Sequence, residues 1–409
     1  MPTVLVIGGA APRESGFVRD ICDRAMDQFR KRGARVVLTD TRENLAAAPE
    51  LTALADEVHE LDFADPAACR AWAARYTRHS PVHAVVGYRE YAALSVASVA
   101  AQLGLPGNPP EAVQLVRTKD ECREHLRRHG FRQPRLRICA TEQEAADFLR
   151  AHGPTVVVKP RRGSSSEGVT RVADPESMAA AFRAAQDPDG LVLVEEFVHG
   201  REFSVEGLFS EGTPHVLAVT AKTLAAGAFV EMGHVLPADL PADQEAEIVA
   251  AVTAALRAIG LRRGHFHVEC WLTREGVVLG EAHARQGGDW IHAMLEWCHP
   301  ALDLYGRWLD DLLGAEPAAL PVRAERGAAV RFLAPPAGVV SSIDGWPEAA
   351  GDPAVLAATC TLSVGSRIGP VGSNLDRHGA IAVGAPDAAS AAAKAERLLD
   401  SVRIEVARS

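Results

Sequence analysis

No apolar run in this sequence reaches the roughly 20 residues that cross a bilayer, so membrane-spanning helices are not expected. The opening stretch, Met1-Pro2-Thr3-Val4-Leu5-Val6-Ile7-Gly8-Gly9, lacks the basic start of a secretion signal and runs straight into a β-type segment. Basic residues form no stripe either. The net charge is −10 over 409 residues and the arginines are scattered, which argues against a nucleic-acid surface. Any C-x-x-C pair is missing too: Cys22, Cys69, Cys122, Cys139, Cys270, Cys298 and Cys360 lie far apart, so neither a zinc cluster nor a redox dithiol is expected. They read as reduced thiols of a cytoplasmic protein. No repeat or low-complexity tract occurs. What is present, 47% hydrophobic and 23% charged residues, points at this length to two or three packed units acting on a small molecule.

Up to about residue 115, short apolar strands (Val4 to Ile7, Arg35 to Leu38, Ala84 to Val86) alternate with helical stretches such as Phe17 to Arg32, the pattern of a doubly wound α/β unit. Gly8-Gly9 follows the first strand, but G-x-G-x-x-G is absent and Pro12 sits where a helix would open, which disfavours a dinucleotide. The run Gly104-Leu105-Pro106-Gly107-Asn108-Pro109-Pro110 marks a linker. Beyond it, Thr141 to Glu144 is a capping box opening a helix to about His152, before a strand at Thr155 to Val158. Strands at Leu191 to Glu195 and Glu202 to Phe209, a helix near Asp243 to Ile259 and a hairpin of His265 to Leu272 with Val277 to Arg285 make the middle of the chain α+β. The tail shows strands near Ala328 to Leu333 and Thr359 to Val364, a helix at Ala388 to Leu399 and a last strand at Val402 to Val406.

Several stretches carry chemistry. Val156-Val157-Val158-Lys159 is a strand ending in lysine, followed by the small-residue loop Gly163-Ser164-Ser165-Ser166-Glu167-Gly168. Amides of such a loop can approach phosphate oxygens while Lys159 supplies a point charge, although an ordinary Gly/Ser hairpin loop has the same composition. It is not a Walker A loop, because the lysine precedes the glycines. Val194-Glu195-Glu196-Phe197-Val198 ends the next strand, with Glu202 across a turn. A backbone edge there can read adenine and Glu202 can accept ribose hydroxyls; solvated glutamates on a surface hairpin would look the same. Glu269 and Glu281 each interrupt an otherwise apolar strand. Carboxylates in such places need cations or hydrogen bonds, and two on adjacent strands make a hard-oxygen site for Mg²⁺. His283 and Arg285 share the face of Glu281 at period two, and a plain Glu281–Arg285 salt bridge is the alternative.

Taken in order, these residues resemble the ATP-grasp superfamily over nearly the whole chain. The resemblance implies an α/β and α+β multidomain fold: a Rossmann-like N-terminal domain at 1–115, an ATP-grasp domain at 116–321 with its lid at about 125–195, and a small C-terminal α+β subdomain at 322–409. It implies ATP and Mg²⁺ as cofactors, with Mn²⁺ as substitute. Lys119 and Lys159 then resemble the nucleotide-binding lysines, Gly163, Ser164, Ser165, Ser166 and Gly168 the phosphate loop, and Glu195, Glu196, Phe197, Val198 and Glu202 the adenine and ribose site. Glu269 and Glu281 match the magnesium carboxylates. His283 departs from the usual Glu-x-Asn pattern, which leaves open whether it meets metal or substrate. Arg285 matches an arginine that steadies phosphate and carboxylate.

A narrower likeness, in Phe229 to Pro237 and in Val330-Arg331-Phe332-Leu333-Ala334-Pro335-Pro336-Ala337-Gly338, is to the bacterial L-amino-acid ligase branch. There Glu231 would lie near the substrate amino group and His234 near an acyl phosphate, while Gly287, Gly288 and Asp289 continue into the substrate pocket. The implied activity is ATP-dependent joining of a small-molecule carboxylate and an amine, both amino acids, with no nucleic-acid or membrane partner; a homodimer is compatible. The alternatives are a carboxyphosphate-forming enzyme like biotin carboxylase or the purine-pathway ligases, and a nucleotide-binding regulatory protein without catalysis.

Strand parity adds a geometric expectation. If Leu272 pairs with Val277, paired residue numbers sum to an odd total and Glu269 and Glu281 face opposite ways. An odd loop or a β-bulge must therefore restore the parity, placing Glu269, Glu281, His267, His283 and Arg285 on one face and Cys270 and Ala282 on the other.

Overall fold

The computed structural model describes residues 1–162, 166–225, 229–316 and 319–407. In the first module, Thr3–Ile7, Arg35–Asp40, Glu57–Glu60 and Ala84–Val86 form a parallel sheet, with Glu57–Glu60 at one edge and Ala84–Val86 at the other. Thr3–Ile7 is buried at every position. Val4 and Val6 pack with Ile21, Ala25 and Phe29 of helix Phe17–Lys31, whereas Leu5 and Ile7 pack with Val99 and Ala100 of helix Ala93–Leu103. Burial on both faces is why these strands read as continuous apolar runs. Glu57–Glu60 (Glu-Val-His-Glu) has no such run, being a half-exposed edge strand, and the sequence reading missed it.

Helix Ala93–Leu103 ends on Gly104 in the left-handed conformation, and the Pro-rich linker leads to helices Pro110–Arg117 and Lys119–Arg128. An antiparallel sheet of Leu136–Cys139, Val192–Glu196, Val156–Lys159 and Thr170–Val172 follows, in that spatial order. Helices Glu142–His152 and Met178–Ala184 cover it with a separate apolar cluster that includes Phe148, Val158 and Phe182.

The largest sheet is antiparallel, in the order Gly276–His283, His265–Thr273, Arg201–Ser210, Thr213–Leu224, Glu231–Leu236, Gly327–Leu333, Gly379–Ala385 and Val355–Cys360. It runs without a break across residues 321 and 322, because Glu231–Leu236 pairs with Gly327–Leu333. Within Phe229 to Pro237, for which no element was expected from sequence, Glu231–Leu236 is thus a central strand. The tail strand expected at Thr359 to Val364 lies instead at Val355–Cys360, and Gly379–Ala385 was overlooked because Gly-Ala-Ile-Ala-Val-Gly-Ala has little β-branched character. All seven cysteines are free thiols. Among the described residues no helix is long and apolar enough to cross a membrane.

Candidate active site

The hairpin of His265–Thr273 and Gly276–His283 turns over only Arg274 and Glu275, and pairs Leu272 with Val277. That register alone would send Glu281 to the face opposite Glu269. Between Val268↔Ala282 and Cys270↔Leu279 the register shifts, so Glu269 stands against both Gly280 and Glu281. This is the expected bulge. Val277 and Leu279 before it, and Ala282 after it, all join the apolar cluster holding Val268 and Cys270, while Glu281 is turned out to the face of Glu269. Gly280 permits the crossing, since a Cβ there would meet the carbonyl oxygen of Glu269 at 2.8 Å.

On that face Glu281 receives the ammonium groups of Lys159 at 3.2 Å and Lys119 at 3.8 Å. Burial pushes its carboxyl up, but the two lysines outweigh that and hold it down at about 2. Lys159 also pairs with the buried Glu195 at 2.9 Å. Glu195 is gripped by the Arg123 guanidinium, which donates as well to the carbonyls of Leu279 (3.1 Å) and Gly280 (3.3 Å). Arg123 thereby ties the lid sheet to the bulge.

Glu269 lies 2.6 Å from the ammonium of Lys222, which also reaches Glu231 at 2.7 Å and Glu202 at 3.1 Å. Desolvation opposes ionisation of Glu269, yet Lys222 and His267 keep it well below the usual carboxylate range. In Glu202 burial prevails and, with the neighbouring carboxylates, raises it. His267 is buried between Glu206, 2.9 Å from Nδ1, and Glu269, 3.6 Å from Nε2. These two carboxylates overcome burial and lift the imidazole to about 9.

Glu231 and His234 are three residues apart and would ordinarily point to opposite sides of a strand. A second bulge, where Thr223 pairs with Gly233 and Leu224 with Glu231, brings both to one side with Asp289. His234 Nε2 is 3.1 Å from Asp289, and its buried Nδ1 has no partner among the described residues. Asp289 is further clamped by both Nη atoms of Arg377 at 2.7 Å each, and lies below the usual range although burial alone would raise it. Asn374 completes this corner by donating to Glu231 at 2.9 Å and accepting its backbone N–H at 3.0 Å.

Arg285 pairs with Glu90 of the first module at 2.8 Å, not with Glu281, and the same Glu90 oxygen meets His283 Nδ1 at 3.0 Å. His283 Nε2 stays 3.9 Å from Glu281. Among the described residues, the groups close enough to share an ion are Glu202, Glu231 and Glu269, and Glu231, His234 and Asp289; Glu281 and His283 are in neither. Glu281 is paired instead with Lys119 and Lys159, and His283 Nδ1 with Glu90.

Gly163, Ser164 and Ser165 of the expected phosphate loop fall outside the described residues. Ser166 has φ 57° and Gly168 φ 69°, and a Cβ on Gly168 would meet the Ala184 carbonyl oxygen at 2.7 Å. Phe197 lies under the Arg171 guanidinium, 4.4 Å from its ring centre, near Phe229. Glu196 is a lid-rim residue paired with Arg135 at 3.0 Å, and Val198, just past it, is half-buried. A Cβ on Gly287 would stand 2.9 Å from Ile291, 3.0 Å from Glu206 and 3.1 Å from His267 and would press on these side chains, while at Gly288 it would meet Phe17 at 3.5 Å.

Lys222, Glu206, Glu90, Arg123, Asn374 and Arg377 were not picked out from sequence, and His267 was placed only on the face of the two glutamates. For Lys222 a signal existed. The chain has 5 lysines (Lys31, Lys119, Lys159, Lys222, Lys394), and Lys222 interrupts an apolar strand as the two glutamates do.

Three family descriptions match this chain: the ATP-grasp domain over residues 153–294, the ATP-grasp N-terminal domain over 26–107, and the L-amino acid ligase C-terminal domain 2 over 331–407. Among curated proteins it is similar to the uncharacterized protein y4rH of Sinorhizobium fredii (28% identical, 75% of this chain, 65% of that protein). It also resembles carnosine synthase 1 of Gallus gallus (30%, 52% of this chain, 26% of that protein) and D-alanine–D-alanine ligase of Bordetella petrii (30%, 39% and 52%). The chain thus spans less than two thirds of each of these relatives. In fold it is similar to L-amino acid ligase from Bacillus licheniformis, with TM-score 0.81 at 22% identity over 100% of this chain and 99% of that one. Biotin carboxylase from Campylobacter jejuni gives 0.71 at 16% over 99% and 92%.

Proposed function

Because this chain is an ATP-grasp protein, carrying the ATP-grasp core, its N-terminal domain and a C-terminal domain of the L-amino acid ligase type, we propose that it is an ATP-dependent carboxylate–amine ligase acting on amino acids. The observation that carries this reading is the bulge that turns Glu281 to the face of Glu269, where Lys119, Lys159 and Lys222 converge. Two ionised carboxylates on one face fit the hard-oxygen chemistry of Mg²⁺. Glu269 and Glu281 would hold the ion, which would supply charge neutralisation along the phosphates. A polyphosphate also gives Lys119 and Lys159 new partners, releasing Glu281 from them. Glu195 to Val198 and Glu202 are the proposed nucleoside contacts, and the loop ending at Gly168 the phosphate cover.

In this mechanism the lysines draw charge off the triphosphate while a substrate carboxylate oxygen attacks the γ-phosphorus, and the bond to ADP breaks. The amine nitrogen of the second substrate then attacks the acyl carbon of the acyl phosphate. A C–N bond forms, the C–O bond to phosphate breaks, and the proton lost by the amine leaves with the departing phosphate. Arg285 and His234 face the developing oxyanions, Glu231 receives the ammonium of the carboxylate substrate, and Gly287, Gly288 and Asp289 border it. The lid sheet excludes water from the acyl phosphate.

The test is release of ADP with amino acids supplied singly and in pairs. Release that requires a pair, with formation of the dipeptide, is the expected outcome. The fold likeness to biotin carboxylase motivates the second reading, and ATP turnover with bicarbonate alone would favour it.

A further inference from the structure

A cavity of about 270 Å³ lies where the turn after strand Arg201–Ser210 meets helix Leu304–Leu312. Ser210 stands at the opposite end of that strand from Glu202, roughly 25 Å away at about 3.3 Å per residue. None of the residues assigned above to nucleotide, metal or substrate lines the cavity. Leu208 and Leu320 give it carbon, and Arg263, Arg307, Asp310 and Asp311 give it charge. Its volume falls just below the usual span of small-molecule sites, about 300–1,000 Å³, so it suits a metabolite of amino-acid size and is too small for a nucleotide.

Two of these charges are incomplete, and they are neighbours. Arg307 and Asp311 stand four positions apart on one helix, a spacing at which opposite charges ordinarily pair. Among the described residues they do not. Asp311 Oδ1 is turned to the Arg263 guanidinium at 2.7 Å and to the backbone N–H of Glu211 at 2.8 Å, while its buried Oδ2 accepts no hydrogen bond. The half-buried Arg307 guanidinium makes no hydrogen bond or ion pair among the described residues. Asp310, by contrast, is satisfied, because Arg32 donates to both its oxygens at 2.7 and 2.8 Å. A buried oxygen without a donor and a guanidinium without an acceptor, one helical turn apart, call for a ligand that carries an ammonium close to a planar carboxylate. A plain anion would leave Asp311 Oδ2 unmatched, and a plain cation would leave Arg307 so.

We propose that this cavity binds a free α-amino acid that is not turned over there, with its carboxylate on the Arg307 guanidinium, its ammonium on Asp311 Oδ2 and its side chain toward Leu208 and Leu320. Because Oδ2 is shut from solvent, the ammonium enters as the long, unpaired Arg307 side chain swings onto the carboxylate. The site shares no residue with the proposed catalytic centre and stands whether or not the chain is a ligase.

The experiment uses the full chain without ATP, so that nothing is turned over, and titrates each of the common α-amino acids alone by calorimetry into the parent, Glu231→Gln, Arg307→Ala and Arg307→Lys. Glu231→Gln weakens the proposed substrate site and leaves this one whole. The expected result is an amino acid whose binding persists in Glu231→Gln and weakens about 10- to 100-fold in Arg307→Ala, with Arg307→Lys between. The matching amine without a carboxylate and the matching acid without an ammonium should each bind the parent at least about tenfold less well. Arg307 holds no partner among the described residues, so Arg307→Ala should keep the parent's circular dichroism and Tm. Binding left unchanged by Arg307→Ala would overturn the site, as would equal affinity for the acid that lacks the ammonium. So would a Glu231→Gln protein that binds none of the amino acids.

Discussion

Glu281 and Glu269 are both held ionised, each by a lysine within hydrogen-bonding distance. Replacing Glu269 or Glu281 with Gln keeps volume but removes the charge needed by a hard cation. ADP release should fall by about 100-fold or more while the circular dichroism of the parent is retained; turnover near the parent's would remove the metal assignment. His267 carries a different consequence. Burial lowers an imidazole, but Glu206 and Glu269 raise this one to about 9. A raised folded-state value stabilises the protein fully below the unfolded value, near 6.5, and the contribution is lost as pH rises through about 9. Urea midpoints should therefore decline between pH 6.5 and 9, and His267→Gln should flatten that decline. At this scale the sequence showed the residues that break an apolar pattern, Glu269 and Glu281. It could not show Glu90 or Arg377, whose partners lie 195 and 88 positions away along the chain.

Two β-bulges do the positioning at the scale of elements, and both solve the same parity problem. One brings Glu281 to the side of Glu269, the other Glu231 to the side of His234. The first could be foreseen because pairing Leu272 with Val277 sends the two carboxylates to opposite faces, which only an odd loop or a bulge avoids. The second was hidden, because Phe229 to Pro237 has too few periodic positions to show that it is a strand at all. Gly280 is the residue on which the first bulge depends. In Gly280→Ala the new Cβ meets backbone, the Glu269 carbonyl oxygen at 2.8 Å and carbon at 3.0 Å, which cannot swing away as a side chain can. The variant should lose about 1–3 kcal/mol in equilibrium unfolding and lose ADP release out of proportion to that. Arg123, which holds the carbonyls of Leu279 and Gly280, belongs to the same device.

Across the whole molecule the site is assembled from every module. Glu90 comes from the first, Lys159 and Glu195 from the lid, Glu269 and Glu281 from the large sheet, and Asn374 and Arg377 from beyond residue 331. Arg24 and Arg32 of the first module bind Glu296 at 2.6 Å and Asp310 at 2.7 Å, tying that module to the helices after the hairpin. The last part of the chain is bound still more deeply, since Gly327–Leu333 pairs with Glu231–Leu236 and Ala328, Val330 and Phe332 share one apolar cluster with Val4, Phe29 and Met294. A chain ended after Glu325 would leave the edge of Glu231–Leu236 without its partner strand and expose that cluster, the two features that promote edge-to-edge association. It would also lose the clamp on Asp289. Such a truncation should elute as aggregate in size-exclusion chromatography and release no ADP. A monodisperse, cooperatively unfolding product would instead mean that the tail is an independent module resting on a complete sheet.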